Sequence, residues 1–161
     1  MKKITFLLTL LILSVSCKNE KLSNSISLEP DEIAFTKEGD LTITTLEGNE
    51  VAQINIEIAE TNYETETGLM YRESMEDNQG MLFIFDEIKE RFFYMKNTNI
   101  PLDIIYIDKD KNIATIAENA EPLNEESLPS EVPVKYVLEV NAGLAKRLGL
   151  QKGDKVSWDR N

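Results

Sequence analysis

The sequence contains no histidine, and its only cysteine is Cys17. These absences exclude Ser-His-Asp and Cys-His catalysis, as well as structural zinc sites built from cysteine and histidine. A lone cysteine also cannot form a disulfide within the chain. Any chemistry has to use carboxylates, lysine, tyrosine or hydroxyl groups, which disfavours an enzyme. We expect neither a metal nor a cofactor.

The sequence also lacks an apolar run of the roughly 20 residues that a helix needs to cross a bilayer. The shorter run from Ile4 to Val15 follows two lysines, and this pattern is typical of a secretory signal peptide over residues 1–16. The stretch LSVSC, which ends at Cys17, is similar to bacterial lipoprotein signals, so we expect Cys17 to be acylated. The alternative is a chance cysteine beside an ordinary cleavage site.

Basic residues are scarce, with 17 Lys and Arg against 29 Asp and Glu. Removal of residues 1–16 takes away two lysines, so 15 basic residues remain against 29 acidic ones, a formal net charge of −14. Such a chain is repelled by nucleic acid and by anionic lipid. We therefore expect no nucleic-acid partner, and contact with a membrane only through the lipid anchor. The expected location is the cell envelope outside the cytoplasm, in the periplasm or at the outer membrane of a Gram-negative cell.

Three segments follow from composition and hydrophobic period: a signal peptide (1–16), a polar, flexible tether (17–40) and a single β-rich domain (41–158). Within the domain, short β-branched and aromatic runs separated by turn residues predict about eight strands. The predicted fold is mainly β, a compact antiparallel sandwich or barrel with two short helices. The predicted strands are a hairpin over 41–59, then 81–85, 92–96, 102–108, 113–116, 134–140 and 155–158.

Local signals place the two helices. The pair Thr61 and Glu64 has the spacing of a capping box and predicts a helix start. Gly68 inside that helix predicts a close backbone approach. Asn141 is the expected N-cap of the second helix, and Gly149 lies at its C-terminal end.

One acidic motif is similar in spacing to the start of a calcium-binding EF-hand loop. Asp108, Asp110 and Asn112 alternate as such ligands do, but Ile113 stands where the loop needs glycine, and Asn119 where it needs glutamate. The predicted flanks are strands rather than helices. A solvated hairpin turn is the better interpretation.

Several segments, taken together, resemble the family known as domain of unknown function 192. They are GLMYR, GMLFIF, FFYMKNTNIPLDIIYID, YVLEVNAG and LGLQKGD, which occur in the order and at the spacing of the family and cover about residues 41–156. The resemblance implies a small β-rich fold found in bacterial and archaeal proteins, many of them exported or lipid-anchored. It implies no activity. Tyr94 stands where the family commonly has tryptophan, and Glu66-Thr67 where it has more basic residues.

The candidate site is the polar stretch Lys96–Asn99, which separates two apolar segments. Turn chemistry accounts for the asparagines and for Pro101, but it does not require Lys96 or the carboxylate of Asp103 in an apolar strand. We predict a charge-assisted pair between Lys96 and Asp103 across this bend. Glu139 is a second charge in an apolar strand, although it could equally lie on a wet face. The candidate ligand-binding residues are Arg72, Lys96, Asn97, Thr98, Asp103, Glu139 and Asn141.

Three functions remain compatible with these observations. The favoured one is a binding module that recognises a polar small molecule, a glycan or an envelope protein at the bend. The second is an enzyme that uses Asp103 or Glu139 with Lys96 as an acid/base pair. The third is a structural or assembly role in which the polar residues form one buried hydrogen-bond network.

Overall fold

The computed structural model describes residues 33–161, so the predicted signal peptide, Cys17 and most of the predicted tether lie outside the described residues. The described part contains nine strands and two short helices, which confirms a mainly β fold. Their bounds are β1 Gly39–Thr44, β2 Glu50–Ala59, α1 Asn62–Thr67, β3 Gln79–Lys89, β4 Phe92–Phe93, β5 Leu102–Ile107, β6 Ile113–Ala120, β7 Leu128–Pro129, β8 Val134–Asn141, α2 Leu144–Leu148 and β9 Lys155–Arg160. None of the helices in this part is long and apolar enough to cross a membrane.

Seven strands form one sheet in the order β6-β5-β8-β3-β2-β1-β9, and β4 pairs with β7 in a separate two-stranded sheet. All neighbours are antiparallel except β2 and β3, which are parallel and are connected through α1. This parallel pair was not predicted from the sequence, because a helix of six residues is short for a crossover. An isolated bridge between Asn112 and Lys155 links the segments at the two edges of the sheet.

The sheet carries an apolar cluster on each face. All seven of its strands contribute to the first cluster, which includes Ile43, Ile56, Leu82, Ile105 and Val156. Strands at both edges share this core, so the sheet curves around it in the manner of an incomplete barrel. The second cluster lies on the other face and is covered by Leu69, by the segment 95–100 and by the small β4–β7 sheet. Strand β5 is buried at all six positions because it lies between the two clusters.

The local helix signals had different outcomes. Thr61 and Glu64 form both hydrogen bonds of the capping box, as predicted, and Gly149 ends α2 in the left-handed conformation. Asn141, however, is not the N-cap of α2. It is the last residue of β8, and Gly143 occupies the cap position without a side-chain hydrogen bond. The cap was wrongly predicted because a carboxylate from another strand takes over this function.

Several predicted strands also differ from the observed ones. The strand expected over residues 81–85 spans Gln79–Lys89, and the one expected over 113–116 spans Ile113–Ala120. The strand expected over residues 92–96 is limited to Phe92–Phe93, because the chain turns at Asn97. Its partner, Leu128–Pro129, was not predicted, since two residues are too few for a hydrophobic period. In β2, the alternation of Ile54, Ile56 and Ile58 with polar residues is present, but Glu57 is buried rather than solvated.

Candidate functional site

Asp103 is fully buried at the start of β5 and satisfies two backbone amides. Its Oδ1 accepts a hydrogen bond from the Asn119 amide at 2.8 Å, and its Oδ2 accepts one from the Ala145 amide at 2.9 Å. Ala145 lies in the first turn of α2, so Asp103 caps this helix from a neighbouring strand. The predicted pair with Lys96 is wrong: Lys96 is exposed, and no ion pair joins the two residues in the structure.

Asn97 and Thr98 form a turn that holds the segment after α1. Asn97 has a positive φ of 55°, its side chain donates to the Tyr71 hydroxyl at 2.9 Å, and its carbonyl accepts from the Tyr71 amide at 2.8 Å. Thr98 is buried, and its hydroxyl donates to the Lys96 carbonyl at 3.4 Å. The polar stretch therefore links two loops that are about 26 positions apart in the chain. Turn formation therefore explains most of the polar residues in this stretch.

No hydrogen bond or ion pair joins Arg72 to Asp103 in the structure. Arg72 is buried, and its guanidinium lies 2.6 Å from the Glu57 carboxylate, which is equally buried. Glu57 also accepts a hydrogen bond from the Thr36 amide at 2.9 Å. A buried pair of this kind is strongly destabilised when one partner is removed, so Arg72 serves the fold here.

Asn141 holds a loop in place through hydrogen bonds and does not cap a helix. Its amide group donates to the Met75 carbonyl at 2.7 Å and to Asp77 at 3.3 Å. Arg147 on α2 reaches the same Asp77 at 2.8 Å, which ties the loop before β3 to the end of β8 and to α2. The Asn141 side chain is therefore hydrogen-bonded to other groups of the protein.

The acidic motif at Asp108 is a hairpin turn, as interpreted from the sequence. Asp108 Oδ1 accepts from the amides of Asp110 and Asn112 at 2.8 and 2.9 Å. Across residues 33–161, no group of three or more acidic, cysteine or histidine side chains has an arrangement that could hold a metal ion.

One cavity lies on the face of the sheet that carries the second apolar cluster. It has a volume of about 320 Å³, at the lower end of the range of small-molecule sites. Its walls come from the end of α1, from β3, from the turn between β3 and β4, and from β4, while Glu139 on β8 also lines it. The lining residues are Thr65, Glu66, Thr67, Gly68, Leu69, Met70, Phe83, Phe85, Lys89, Glu90, Arg91, Phe92, Phe93, Tyr94, Thr98 and Glu139.

Five of the 16 residues that line this pocket are aromatic. Phe83 and Phe93 meet edge to face with centroids 5.2 Å apart, and Phe85 stacks beside Phe83 at 6.3 Å. Phe83 and Phe85 share a face because they are two residues apart on β3. Two further rings stand at the rim, where Phe92 is 62% and Tyr94 47% exposed. Exposed aromatic side chains beside an apolar pocket are typical of binding surfaces.

Glu139 is the buried polar group of this pocket. It is only 6% exposed, and its Oε2 has no hydrogen-bond partner in the described part of the protein. Burial raises the pKa of this carboxyl to about 8, so the group is mostly protonated at neutral pH. Tyr106 lies close enough that its own pKa is raised, first by burial and then by the charge on Glu139. A buried oxygen without a partner needs an explanation, and a ligand provides one.

Gly68 gives the pocket its access to Glu139. Its backbone has a φ of 49° at the end of α1, a conformation that side chains rarely adopt. A Cβ at this position would lie 3.1 Å from the Phe83 ring and 3.8 Å from Glu139 Oε2. The close backbone approach predicted for Gly68 is therefore confirmed, and the lack of a side chain leaves space beside the carboxyl.

The charged residues at the mouth of the pocket nearly balance. Lys89 and Arg91 stand beside Glu66 and Glu90. The Arg91 guanidinium is partly engaged: it lies 3.8 Å from the centroid of the Phe85 ring and donates through Nη2 to the Glu87 carbonyl at 2.6 Å, whereas its buried Nε has no hydrogen-bond partner among the described residues. The mouth therefore presents no cluster of free cations.

A family model described as DUF192, uncharacterized ACR, matches residues 42–158. The chain belongs to this family. No curated protein matches the chain significantly. The DUF192 match spans all of the pocket residues and also includes Asp103 and Arg72.

Two solved structures are similar to this DUF192 domain. One is a protein of unknown function from Novosphingobium aromaticivorans DSM 12444, with 42% identity over 74% of this chain and 84% of that one, and a TM-score of 0.70. The other, from Sinorhizobium meliloti 1021, is described as a "putative transcription regulator". It is 42% identical over 79% of this chain and 97% of that one, with a TM-score of 0.73.

Of the seven candidate ligand-binding residues, the structure places Thr98 and Glu139 at the pocket and the other five elsewhere. The aromatic walls were missed, because phenylalanines in strands are indistinguishable from ordinary core residues in a single sequence. One signal was available in retrospect: Gly68 within a helix and Glu139 within an apolar strand are both costly residues for their positions.

Proposed function

We propose that this DUF192 domain is a binding module for a small amphipathic molecule, which it holds in the aromatic pocket above Glu139. The single observation that carries the proposal is the buried Oε2 of Glu139, which lines an open pocket without a hydrogen-bond partner among the described residues. Leaving such a group unsatisfied costs about 1–3 kcal/mol, a cost that a ligand with a complementary polar group would remove. The aromatic walls would hold the apolar part of the same ligand.

This proposal moves the binding site from the bend at Lys96–Asp103 to the neighbouring pocket. Thr98 is the residue that the two locations share. Asp103 already accepts from two backbone amides and Asn97 already donates to the Tyr71 hydroxyl, which leaves little for a ligand to satisfy at these two residues.

The experiment is a fragment screen of the full chain by two-dimensional NMR, with small phenyl compounds that carry neutral, anionic and cationic groups. We expect shift changes confined to residues that line the pocket, and weaker binding in Phe92→Ala and Tyr94→Ala. Tyr63→Ala is the matched control, because Tyr63 is a 76% exposed aromatic residue outside the pocket. Absence of any localised binding, or equal loss of binding in the Tyr63 variant, would refute the proposal.

An enzyme that uses Glu139 is the second candidate, and the raised pKa of this carboxyl favours it. A carboxyl group that is protonated near neutral pH is suited to general acid catalysis. Such an enzyme would turn its ligand over, so the bound fragment or its natural counterpart would be converted, and Glu139→Gln would abolish turnover while it retained binding. A binding module leaves the ligand unchanged.

We also propose that the domain is displayed in the cell envelope through an acylated Cys17. The support is the signal-like composition of residues 1–16, the position of the single cysteine and the acidic surface. Two acyl chains suffice for stable anchoring. Mass spectrometry of the native protein should show a lipid-modified N-terminal Cys17, and the variant Cys17→Ser should be released from membranes. An unmodified N-terminus at another residue would contradict this.

A further inference from the structure

The chemistry around Glu139 narrows the class of ligand. Four of the described residues have buried carboxyl groups, Glu57, Asp103, Glu139 and Asp154, and they differ in their hydrogen-bond and ion-pair partners. Asp154 accepts a hydrogen bond from the Gln151 amide at 2.9 Å. Glu57 has the guanidinium of Arg72, and Asp103 has two backbone amides. Glu139 has neither: in the part of the chain that the structure describes, no cation forms an ion pair with it. The missing element at this carboxyl is a positively charged hydrogen-bond donor.

The aromatic walls of the pocket also favour a positively charged ligand. Aromatic faces attract cations, and Phe85 already holds the guanidinium of Arg91 at 3.8 Å from its centroid. Phe83 and Phe93 lie beside this contact and provide further ring surface. The pocket would therefore accommodate both parts of a ligand that has a cationic head and an apolar body.

The charge distribution argues against an anionic ligand. The two cations at the mouth are offset by Glu66 and Glu90, and Glu139 adds a third carboxyl group to the lining. The whole chain carries a formal net charge of −12, which raises the local concentration of cations and repels anions.

We infer that the pocket binds an organic ammonium compound, which donates an N–H group to the free Oε2 of Glu139 and places its apolar body between Phe83, Phe85 and Phe93. This inference rests on the ligand-binding function proposed above. Binding transfers no atoms other than one proton, which leaves the Glu139 carboxyl for solvent as the ammonium arrives. The pocket would thus select amines over alcohols of equal shape.

The release of that proton gives the binding a recognisable pH dependence. With a pKa of about 8, roughly one carboxyl in a hundred is ionised at pH 6 and about half at pH 8. An ammonium ligand prefers the ionised form, so its affinity should rise by about fiftyfold between these pH values. A ligand that accepts a hydrogen bond from the protonated carboxyl would show the opposite trend. The other titratable groups around Glu139 are Glu57, Glu66, Arg72, Lys89, Glu90, Arg91, Tyr94 and Tyr106.

The test uses three probes of similar shape with the full chain: 2-phenylethylamine, 2-phenylethanol and 3-phenylpropionate. Dissociation constants are measured by calorimetry or NMR titration at pH 6, 7 and 8. We expect the amine to bind most tightly and to tighten by about fiftyfold from pH 6 to pH 8. In Glu139→Gln the preference for the amine and its pH dependence should both disappear, which assigns them to this carboxyl. Glu118→Gln, a change of the same kind at an exposed residue outside the pocket, is the control variant and should retain both.

The outcomes separate this inference from the proposed function. If the alcohol or the propionate binds in the pocket as tightly as the amine, or if affinity for the amine falls as pH rises, the ammonium inference is wrong and the binding module stands. If none of the three probes binds and the fragment screen also finds no ligand, both are refuted. A preference for the amine that persists in Glu139→Gln would also overturn the inference.

Discussion

Two buried carboxyl groups lie one position apart in the register of strands β5 and β8, yet they have opposite roles. Asp103 is paired with Val140, and Glu139 with Ile104, so the two side chains point to opposite faces of the sheet. Asp103 has an amide donor on each oxygen. Glu139 Oε2 has none in the described residues and faces the pocket. Burial alone therefore does not distinguish a structural carboxyl from a functional one, whereas the set of donors does.

The largest change in stability is expected from substitution of Asp103, the carboxyl residue that accepts a hydrogen bond on each oxygen. Asp103→Ala leaves the amides of Asn119 and Ala145 buried without acceptors, which costs about 1–3 kcal/mol for each amide. We expect the free energy of unfolding, measured by urea denaturation, to fall by about 2–6 kcal/mol. Asp110→Ala is the matched control, because Asp110 is exposed on the adjoining turn and should change stability by less than about 0.5 kcal/mol. If both variants are equally stable, Asp103 does not cap α2.

The second effect is expected at Glu139, where substitution should raise the free energy of unfolding rather than lower it, by an amount that depends on pH. The pKa of Glu139 is about 8 in the folded protein and 4.5 as an ordinary carboxyl, so the folded state binds more protons than the unfolded state between these values. Stability is therefore lost as pH rises from about 4.5 to about 8. The difference of 3.5 pKa units corresponds to at most about 5 kcal/mol at pH 9. Glu139→Gln should remove this loss.

We therefore expect Glu139→Gln to be more stable than the parent protein at pH 9 and to differ little from it at pH 4. Urea denaturation at both pH values measures the change. Glu66→Gln, an exposed change of the same kind at the mouth of the pocket, should have little effect at either pH. A destabilisation of similar size at both pH values would mean that Glu139 has a structural partner like that of Asp103, and the contrast between the two carboxyls would fail.

The smallest effect concerns the polar bend, which shortly precedes Asp103 in the chain. Asn97 has a φ of 55°, which costs about 1–2 kcal/mol for most side chains but little for glycine. Asn97→Ala should therefore lower thermal stability by about this amount, and Asn97→Gly should lower it less. Both variants lose the hydrogen bond to Tyr71 at 2.9 Å, so their difference isolates the backbone conformation. Equal destabilisation would show that the side-chain contact, not the turn, dominates.

Features that depend on neighbours in the chain were predictable. The β1–β2 hairpin, the capping box of Thr61 and Glu64, the turn at Asp108 and the left-handed Gly149 each involve residues within a few positions of one another. Such interactions can be recognised from the spacing of residue types. A hydrogen bond between residues three or four positions apart requires the same local backbone geometry wherever it occurs. The mainly β fold followed from the same local patterns.

Features that depend on distant partners were not predictable. Asp103 was recognised as an unusual charge, but its partners lie 16 and 42 positions further along the chain. Arg72 and Glu57 were not linked, and the parallel pairing of β2 with β3 was not foreseen. In each case several charged or polar residues could have met, and local sequence does not choose among them.

The sequence by itself therefore determined that this protein is a β-rich domain with a carboxyl residue in each of two apolar strands, while the burial of Glu139 came from the structure. Only the tertiary structure decided which charge is satisfied. It brings the amides of Asn119 and Ala145 to Asp103, and surrounds Glu139 with Phe83, Phe93 and the bare backbone of Gly68. The reason is physical: the cost of a buried carboxyl depends on the donors within about 3 Å, and packing, rather than position in the chain, supplies them.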